Sequence, residues 1–162
     1  MRRHAMAAIV TGGGLAGAID ITYAIGFSYL RGVSPDRILQ SVASGLLGSA
    51  AYEGGGSTAA LGLALHFLNA LIIAAIFVLA SRRVTFLIRH AVLSGIVYGF
   101  LVYWVMNLVV LPLSAFPGRV RFAPLVTSTG LLVHMFGIGL PIALAARRAS
   151  TAATQAPLHA QR

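Results

Sequence analysis

The chain contains no cysteine and no lysine, and it carries very little charge. Only three of its 162 residues are acidic, and charged residues make up 9% of the composition against 58% for hydrophobic residues. A soluble domain carries about 25% charged residues, so this chain lacks the charge needed to wet a globular surface. The missing cysteines exclude disulfides, thiolate metal sites and thiol redox chemistry.

All twelve basic residues are arginine, which gives a formal net charge of +9. Such an excess can indicate nucleic-acid binding, but here the arginines do not form a patch. They stand in pairs and small groups at the ends of apolar runs, which is typical of residues that determine membrane topology. We therefore expect the lipid bilayer, and no nucleic acid, as the partner of this chain.

Four apolar stretches are long enough to cross a bilayer, at residues 6–30, 58–80, 91–111 and 125–146. Each meets the requirement of roughly 20 residues for a hydrocarbon core about 30 Å thick. The first stretch follows two arginines, as a signal peptide would, but it is too long and Asp20 interrupts it. The sequence therefore predicts an all-α polytopic membrane protein with four transmembrane helices, in one domain over residues 1–148.

The segment between the first two spans predicts a shorter helix over residues 35–52. Ser34, Pro35 and Asp36 are typical of a helix start, and a run of three glycines ends the helix. Its several polar side chains make it a poor span, so we expect it to be interfacial or re-entrant. The tail, residues 149–162, has no apolar face and is predicted to be disordered and cytoplasmic.

The arginine distribution predicts the orientation in the membrane. With four spans, eight arginines lie on the side of the two termini, and the other side holds Arg31, Arg37, Arg119 and Arg121. The positive-inside rule then places both termini in the cytoplasm. If residues 35–52 also crossed, the split would again be eight to four, but the N-terminus would lie outside. The weak hydrophobicity of that segment favours four spans.

Five polar side chains interrupt the predicted spans: Asp20, His66, Asn69, Asn107 and His134. Asp20, His66 and His134 lie roughly 2 to 5 Å from the midpoints of their spans, on the non-cytoplasmic side. Asn69 is near the midpoint of its span, and Asn107 lies roughly 9 Å out. Polar groups at this depth are expensive in a bilayer and are usually either paired or functional.

Small residues share a helix face with these side chains, as Gly17 does with Asp20 and Gly130 with His134. Because small residues let helices approach closely, these faces should point into the bundle and Leu132 should point into lipid. We therefore expect the five polar residues to form one shared interior cluster.

Two kinds of chemistry fit such a cluster. Asp20, His66 and His134 can exchange a proton at physiological pH, since histidine titrates there, which favours a transport or proton-relay protein. The same three residues form a ligand set for a divalent metal, and two histidines on facing helices can hold haem. No span has a second ligand three or four residues further on, so we expect no cofactor.

Two alternatives assign the cluster no chemistry. Asn and His in membrane helices often only form hydrogen bonds between helices, and a static pair with histidine would satisfy Asp20. In an accessory or assembly protein, residues 34–56 and the loop at Arg119 and Arg121 would contact other membrane proteins or a second copy of the chain. No nucleophile–base pair, P-loop or zinc-protease motif is present in the sequence, which disfavours a soluble-type enzyme.

Three short motifs resemble one family: His66-x-x-Asn69, residues 111–117 (LPLSAFP) and Gly130-x-x-x-His134 with Arg147-Arg148 closing the span. They are similar to those of the YagU-like bacterial inner-membrane proteins of unknown function. The match extends over the four spans, while the first loop departs from the family. The resemblance implies a bacterial inner-membrane location and a four-span layout, and it implies no activity.

Overall fold

Four long helices dominate the computed structural model, which describes residues 2–159, with side chains for residues 3–152. Each helix is long and apolar enough to cross a membrane, and the four spans are Arg3–Tyr29, Gly55–Ser81, Ala91–Leu113 and Pro124–Ala152. No strand occurs within residues 2–159. The predicted all-α, four-span architecture is therefore confirmed.

The helices, in chain order, are α1 (Arg2–Tyr29), α2 (Pro35–Leu47), α3 (Gly55–Ser81), α4 (Phe86–Arg89), α5 (Ala91–Val105), α6 (Leu111–Leu113), α7 (Pro124–Leu132) and α8 (Leu140–His159). A 3₁₀ turn, Gly48–Tyr52, follows α2. The π-helical segments Met106–Val110 and Val133–Gly139 join α5 to α6 and α7 to α8. The third and fourth spans are thus continuous helices with a widened section.

The fourth span differs from its prediction at the C-terminal end. α8 continues to His159, well past the predicted end at residue 146, so the described part of the predicted disordered tail is helical. The physical reason is local. Residues 145–153 are rich in alanine, which has the highest helix propensity, and contain no glycine or proline. Residues 160–162 of the predicted tail lie outside the described residues.

The short helix α2 does not cross the membrane. Gly13 in the first span faces Ala70 and Ala74 in the second, whereas Gly17 faces Phe67 and Ala70. The first and second spans therefore run antiparallel. If α2 crossed between them, they would run parallel. α2 thus begins and ends on one side, as the prediction of an interfacial or re-entrant helix requires.

α2 turns Gln40 and Ser44 toward the bundle and Leu46 and Leu47 outward. Its buried residues are Gln40, Ala43 and Ser44. The Gln40 amide donates to the carbonyl oxygen of Gly55 at the start of α3 (3.1 Å), and Leu46 is 61% exposed. The backbone of Leu39 lies so close to Gly62 that a Cβ on Gly62 would overlap it. Protein thus shields the side chains of Gln40 and Ser44, whereas Leu46 and Leu47 lie on the outer surface.

The third and fourth spans approach each other through glycine. A Cβ on Gly99 would overlap the carbonyl oxygen of His134, and a Cβ on Gly139 would overlap that of Gly95. The small-residue faces therefore form the contacts between helices, as the sequence predicts, whereas Leu132 is 53% exposed. Helices in lipid gain no hydrophobic free energy by associating, so close backbone packing stabilises the contact between them instead.

A tightly packed core fills one half of the bundle, which we call the basic end because it carries Arg82, Arg83, Arg147 and Arg148. The opposite half is the α2 end. The core joins all four spans and consists mostly of alanine, with Phe77 and Ile142 as its largest fully buried side chains. Because alanine lets the backbones come close, the helices of this half pack directly against one another around Phe77 and Ile142.

Each π-helical segment precedes a proline. Proline lacks the N–H group, and its ring presses on the carbonyl four residues earlier. Pro112 acts in this way on the carbonyl of Leu108, which lies within Met106–Val110. Pro141 acts on the carbonyl of Gly137, within the second π-helical segment. The wider helix accommodates the proline without ending the span.

Replacing Gly99 with alanine should destabilise the bundle, since the added methyl group would overlap the backbone of the fourth span. We expect the free energy of unfolding to fall by about 1 to 3 kcal/mol, the usual cost of overpacking. The measurement is the melting temperature of the detergent-purified protein. Gly14→Ala is the matched control, because a methyl group there meets nothing within 4 Å. Equal effects of the two substitutions would contradict the assigned helix contact.

Candidate functional site

All five predicted polar residues line one cavity of about 340 Å³, which we call the polar cavity. Its polar wall consists of Asp20, Ser41, His66, Asn69, Asn107, Ser114 and His134, and the rest is glycine, alanine and larger apolar side chains. The five side chains come from all four spans. The five residues, which the sequence places at similar depths and on bundle-facing sides of their helices, thus share one space in the fold.

The first and fourth spans form the back of the polar cavity, and the second and third spans form its sides. α2 covers it at the α2 end through Ser41, Val42 and Gly45. The backbone N–H of Ala115 donates to the carbonyl oxygen of Gly45 (2.9 Å). This hydrogen bond ties the α2 cover to the loop that follows the third span.

The polar cavity opens between the second and third spans. Toward the basic end these spans are joined, because the Tyr98 hydroxyl donates to the carbonyl oxygen of Ile73 (2.8 Å). The Phe77 and Tyr98 rings also lie 5.0 Å apart there. Toward the α2 end the cavity separates the two spans, with Asn69 on one side and Asn107 on the other. Asn69 is exposed, so the opening lies beside it.

Asp20 and His134 lie next to each other in the cavity wall. The Oδ1 of Asp20 is 3.9 Å from the Nδ1 of His134, and the side chains are 21% and 17% exposed, respectively. The same Nδ1 is 2.9 Å from the carbonyl oxygen of Gly130. Because a carbonyl can only accept, Nδ1 carries the hydrogen of the neutral ring. The lone pair is then on Nε2, where the ring takes up a proton.

His66 is held by the backbone of the first span. Its Nε2 is 2.9 Å from the carbonyl oxygen of Gly17, so this nitrogen donates and the lone pair is on Nδ1. Gly17 has no side chain to block the imidazole, and it precedes Asp20 by less than one helical turn. The hydrogen bond therefore keeps His66 on the same wall as the Asp20–His134 pair.

The two asparagines differ in their contacts. The Nδ2 of Asn107 donates to the carbonyl oxygen of Tyr103 one turn earlier in its own span (2.8 Å). This bond lies within one helix, unlike the interhelical bond that the sequence suggests for such a residue. It leaves the Oδ1 of Asn107 able to accept a hydrogen bond from a ligand. Asn69 lies exposed at the opening of the cavity.

Both Asn107 and His134 lie in π-helical segments. Such segments are rare and occur frequently at functional sites, because widening the helix displaces its side chains from the regular register. The prolines at 112 and 141 are the sequence signal for these segments. Each proline predicts where the helix departs from regular geometry, but it does not predict whether the helix kinks, ends or widens there.

Sequence reasoning missed an interhelical hydrogen bond and two serines of the site. Ser41 and Ser114 line the polar cavity. The Tyr23 hydroxyl is 2.6 Å from the Oγ1 of Thr129, and that oxygen is 2.7 Å from the carbonyl of Leu125. Thr129 donates its single hydrogen to the carbonyl, so Tyr23 is the donor to Thr129. This bond joins the first and fourth spans, a pairing that no local pattern predicts.

The metal hypothesis lacks the geometry that it needs. Among residues 3–152, whose side chains the structure describes, no three side chains of His, Cys, Asp or Glu come together in a way that could hold a metal ion. Asp20, His66 and His134 share a wall without converging on one point. The haem hypothesis, with the two histidines as axial ligands, stays a prediction.

Comparison with known proteins finds no match among family models, characterised proteins or solved structures. The resemblance to the YagU-like family therefore stays a prediction.

Asp20→Asn and His134→Ala should each lower the free energy of unfolding, because each removes the attraction between the carboxyl group and the imidazole in a low-dielectric wall. The double variant should lose less than the sum of the two, by about 0.5 to 3 kcal/mol. The measurement is a double-mutant cycle on detergent-purified protein. Asp20→Asn combined with His90→Ala is the control and should be additive, because His90 stacks on Phe86 at the basic end. Additivity of the first pair would show that Asp20 and His134 do not interact.

Proposed function

We propose that this chain is a small transport or proton-relay protein of the bacterial inner membrane. The observation that carries the proposal is the 3.9 Å contact between Asp20 and His134 in the wall of an open cavity within the spans. An isolated carboxylate near the bilayer centre costs about 2.5 to 3.5 kcal/mol even on the lenient insertion scale. A purely structural contact could be made by apolar side chains without that cost.

The pair can exist in two charge states. With Asp20 ionised and His134 neutral, the pair carries one negative charge. Uptake of a proton at Nε2 makes the imidazole a cation, and the pair becomes neutral. Histidine changes charge between about pH 5 and 8, so the exchange can occur under physiological conditions. Both side chains line the cavity and are partly exposed in its wall.

The charge of the cavity wall favours cations. Asp20 is the acidic residue in the wall, and no arginine among the described side chains lines the polar cavity. The remaining polar groups, such as Asn69 and Asn107, are neutral and can accept hydrogen bonds or coordinate a cation through oxygen. We therefore assign the transported species as a proton or a small cation, and not an anion.

Access in the described conformation is one-sided. Toward the basic end, the passage is filled by Phe77 and Ile142, which are 1% and 0% exposed. We assign transport to an alternation in which the second and third spans separate at the basic end. The hydrogen bond from Tyr98 to Ile73 is the contact that breaks in that step.

The proposed orientation has both termini in the cytoplasm. Four spans place the two termini on one side, and eight of the twelve arginines then share that side. The positive-inside rule supports the cytoplasm for the arginine-rich side. The resemblance to the YagU-like family supports the bacterial inner membrane. In this orientation the polar cavity lies in the outer half of the bilayer, under α2.

Assembly of a membrane complex is the second candidate function, and the exposure of Asn69 favours it. Its neighbours Leu68 and Ile72 are 51% and 48% exposed, so a polar amide stands on the outer face of the second span. A transmembrane helix of another protein or a second copy would cover this amide with a hydrogen bond. In that case the purified chain should run as a complex or dimer in mild detergent and carry no flux.

Proteoliposomes that contain the purified protein should pass protons down an imposed pH gradient, as reported by a trapped pH-sensitive dye. Asp20→Asn should reduce this flux at least roughly tenfold, because an amide cannot exchange a proton. Thr22→Val is the matched control on the same helix, since the exposed Thr22 hydroxyl donates to the Ala18 carbonyl within its own helix (2.7 Å). Its flux should equal that of the wild type.

The melting temperature separates a functional from a structural role for Asp20. The Asp20→Asn protein should remain folded and monodisperse while the flux is lost. If flux disappears only in variants that do not fold, the pair is structural. A wild-type protein that passes neither protons nor Na⁺ nor K⁺ would refute the transport proposal.

Reporter fusions test the proposed orientation. A fluorescent reporter that folds only in the cytoplasm should be active when fused after Arg162 and inactive when inserted in the exposed glycine turn at Gly54. A periplasmic phosphatase reporter should give the opposite pattern. The reverse result for both reporters would place the termini outside and overturn the orientation.

A further inference from the structure

A second cavity, of about 730 Å³, lies at the basic end and plays no part in the proposed transport. We call it the basic cavity. The start of α1, the end of α3 and the first half of α8 form its walls. Its polar lining residues are His4, Ser81, Arg82, Arg83, Thr85 and Ser150. The basic cavity thus combines two guanidinium groups with an imidazole and hydroxyl groups.

The positive charge of the basic cavity has no acidic counterpart in its wall. The chain has three acidic side chains, Asp20, Asp36 and Glu53, and none of them lines this cavity. Asp20 lies in the polar cavity, whereas Asp36 lies in the first turn of α2 and Glu53 follows the 3₁₀ turn, at the opposite end of the bundle. An anion from outside the chain is therefore the natural counterion for Arg82 and Arg83.

The part of the basic cavity that lies nearer the centre of the bundle is apolar and reaches the lipid-facing surface. Val78 is 4% exposed and lies deep in the wall, whereas Leu79 is 54% exposed on the outside of the second span. Ala146 and Ala149 complete the apolar side. The cavity is therefore charged at its outer end and apolar toward the centre of the bundle. This arrangement fits a molecule with an anionic head and a hydrocarbon tail better than it fits a free ion.

We propose that the basic cavity binds the headgroup of an anionic phospholipid, with its phosphate between Arg82 and Arg83. Guanidinium groups hold phosphate oxygens through paired hydrogen bonds, and basic pockets between transmembrane helices are suited to anionic headgroups. The acyl chain leaves past Leu79 into the bilayer. Arg147 and Arg148 line a different groove, with Leu144 and Thr151, and take no part in this site. The proposal does not depend on the transport function.

Native mass spectrometry of the full-length protein in detergent tests the site with two lipids of matched acyl chains. Phosphatidylglycerol should bind at least roughly tenfold more tightly than phosphatidylcholine. The double substitution Arg82→Gln with Arg83→Gln should weaken phosphatidylglycerol binding roughly 30-fold. The matched control is Arg119→Gln with Arg121→Gln, which removes two arginines from the opposite end and should leave the affinity within about twofold of the wild type.

Equal losses in the two double variants would show that overall charge, and not this cavity, binds the lipid, and would overturn the proposal. Competition by millimolar inorganic phosphate as strong as that by phosphatidylglycerol would identify a free-phosphate site and would also overturn it. If the Arg82/Arg83 variant does not fold, crosslinking of a photoactivatable phosphatidylglycerol to the wild-type protein tests the site. Labels should fall on residues 78–85 or on Ala146, Ala149 or Ser150, and labels confined to other residues would contradict the site.

Discussion

The rest of the structure depends on the direct contact of helix backbones at glycine. In lipid, apolar side chains gain little by leaving one apolar surface for another, so helices associate through close packing and polar contacts. Gly99 and Gly139 bring the third and fourth spans together, and Gly13 and Gly17 bring the first span against the second. These contacts close two sides of the bundle, and Gly12, which lies against Ile142, closes a third side between the first and fourth spans. The remaining side, between the second and third spans, is held at the basic end by Tyr98 and opens toward α2.

This asymmetry divides the bundle into two halves with different physical properties. Alanine and glycine pack the basic end so closely that Phe77 and Ile142 fill its interior. The α2 end keeps a space of about 340 Å³ that collects the polar side chains of all four spans. Polar groups in a membrane need partners or water. The Gly17 and Gly130 carbonyls supply partners for the two histidines.

α2 serves the same purpose by an arrangement that would be unusual in a soluble protein. Gln40 and Ser44 are buried against the bundle, while Leu46 is exposed. In water the burial of apolar surface would favour the reverse orientation. Next to lipid, the polar side chains are better placed against protein, where Gln40 reaches the Gly55 carbonyl. The cover over the polar cavity is therefore hydrogen-bonded on the inside and compatible with lipid on the outside.

Sequence alone determined the features that depend on neighbours along the chain. Length and hydropathy predict the four spans, the helical period predicts which residues share a face, and the rise per residue predicts that Asp20, His66 and His134 lie at similar depth. Only the tertiary structure decided which groups meet. It pairs Asp20 with His134, turns His66 onto Gly17, and confines the Asn107 bond to its own helix. It also excludes a crossing by α2, which the arginine count left open. Depth and face follow from local geometry, whereas partners and register depend on contacts between residues that are far apart in the chain, and no local pattern encodes those contacts.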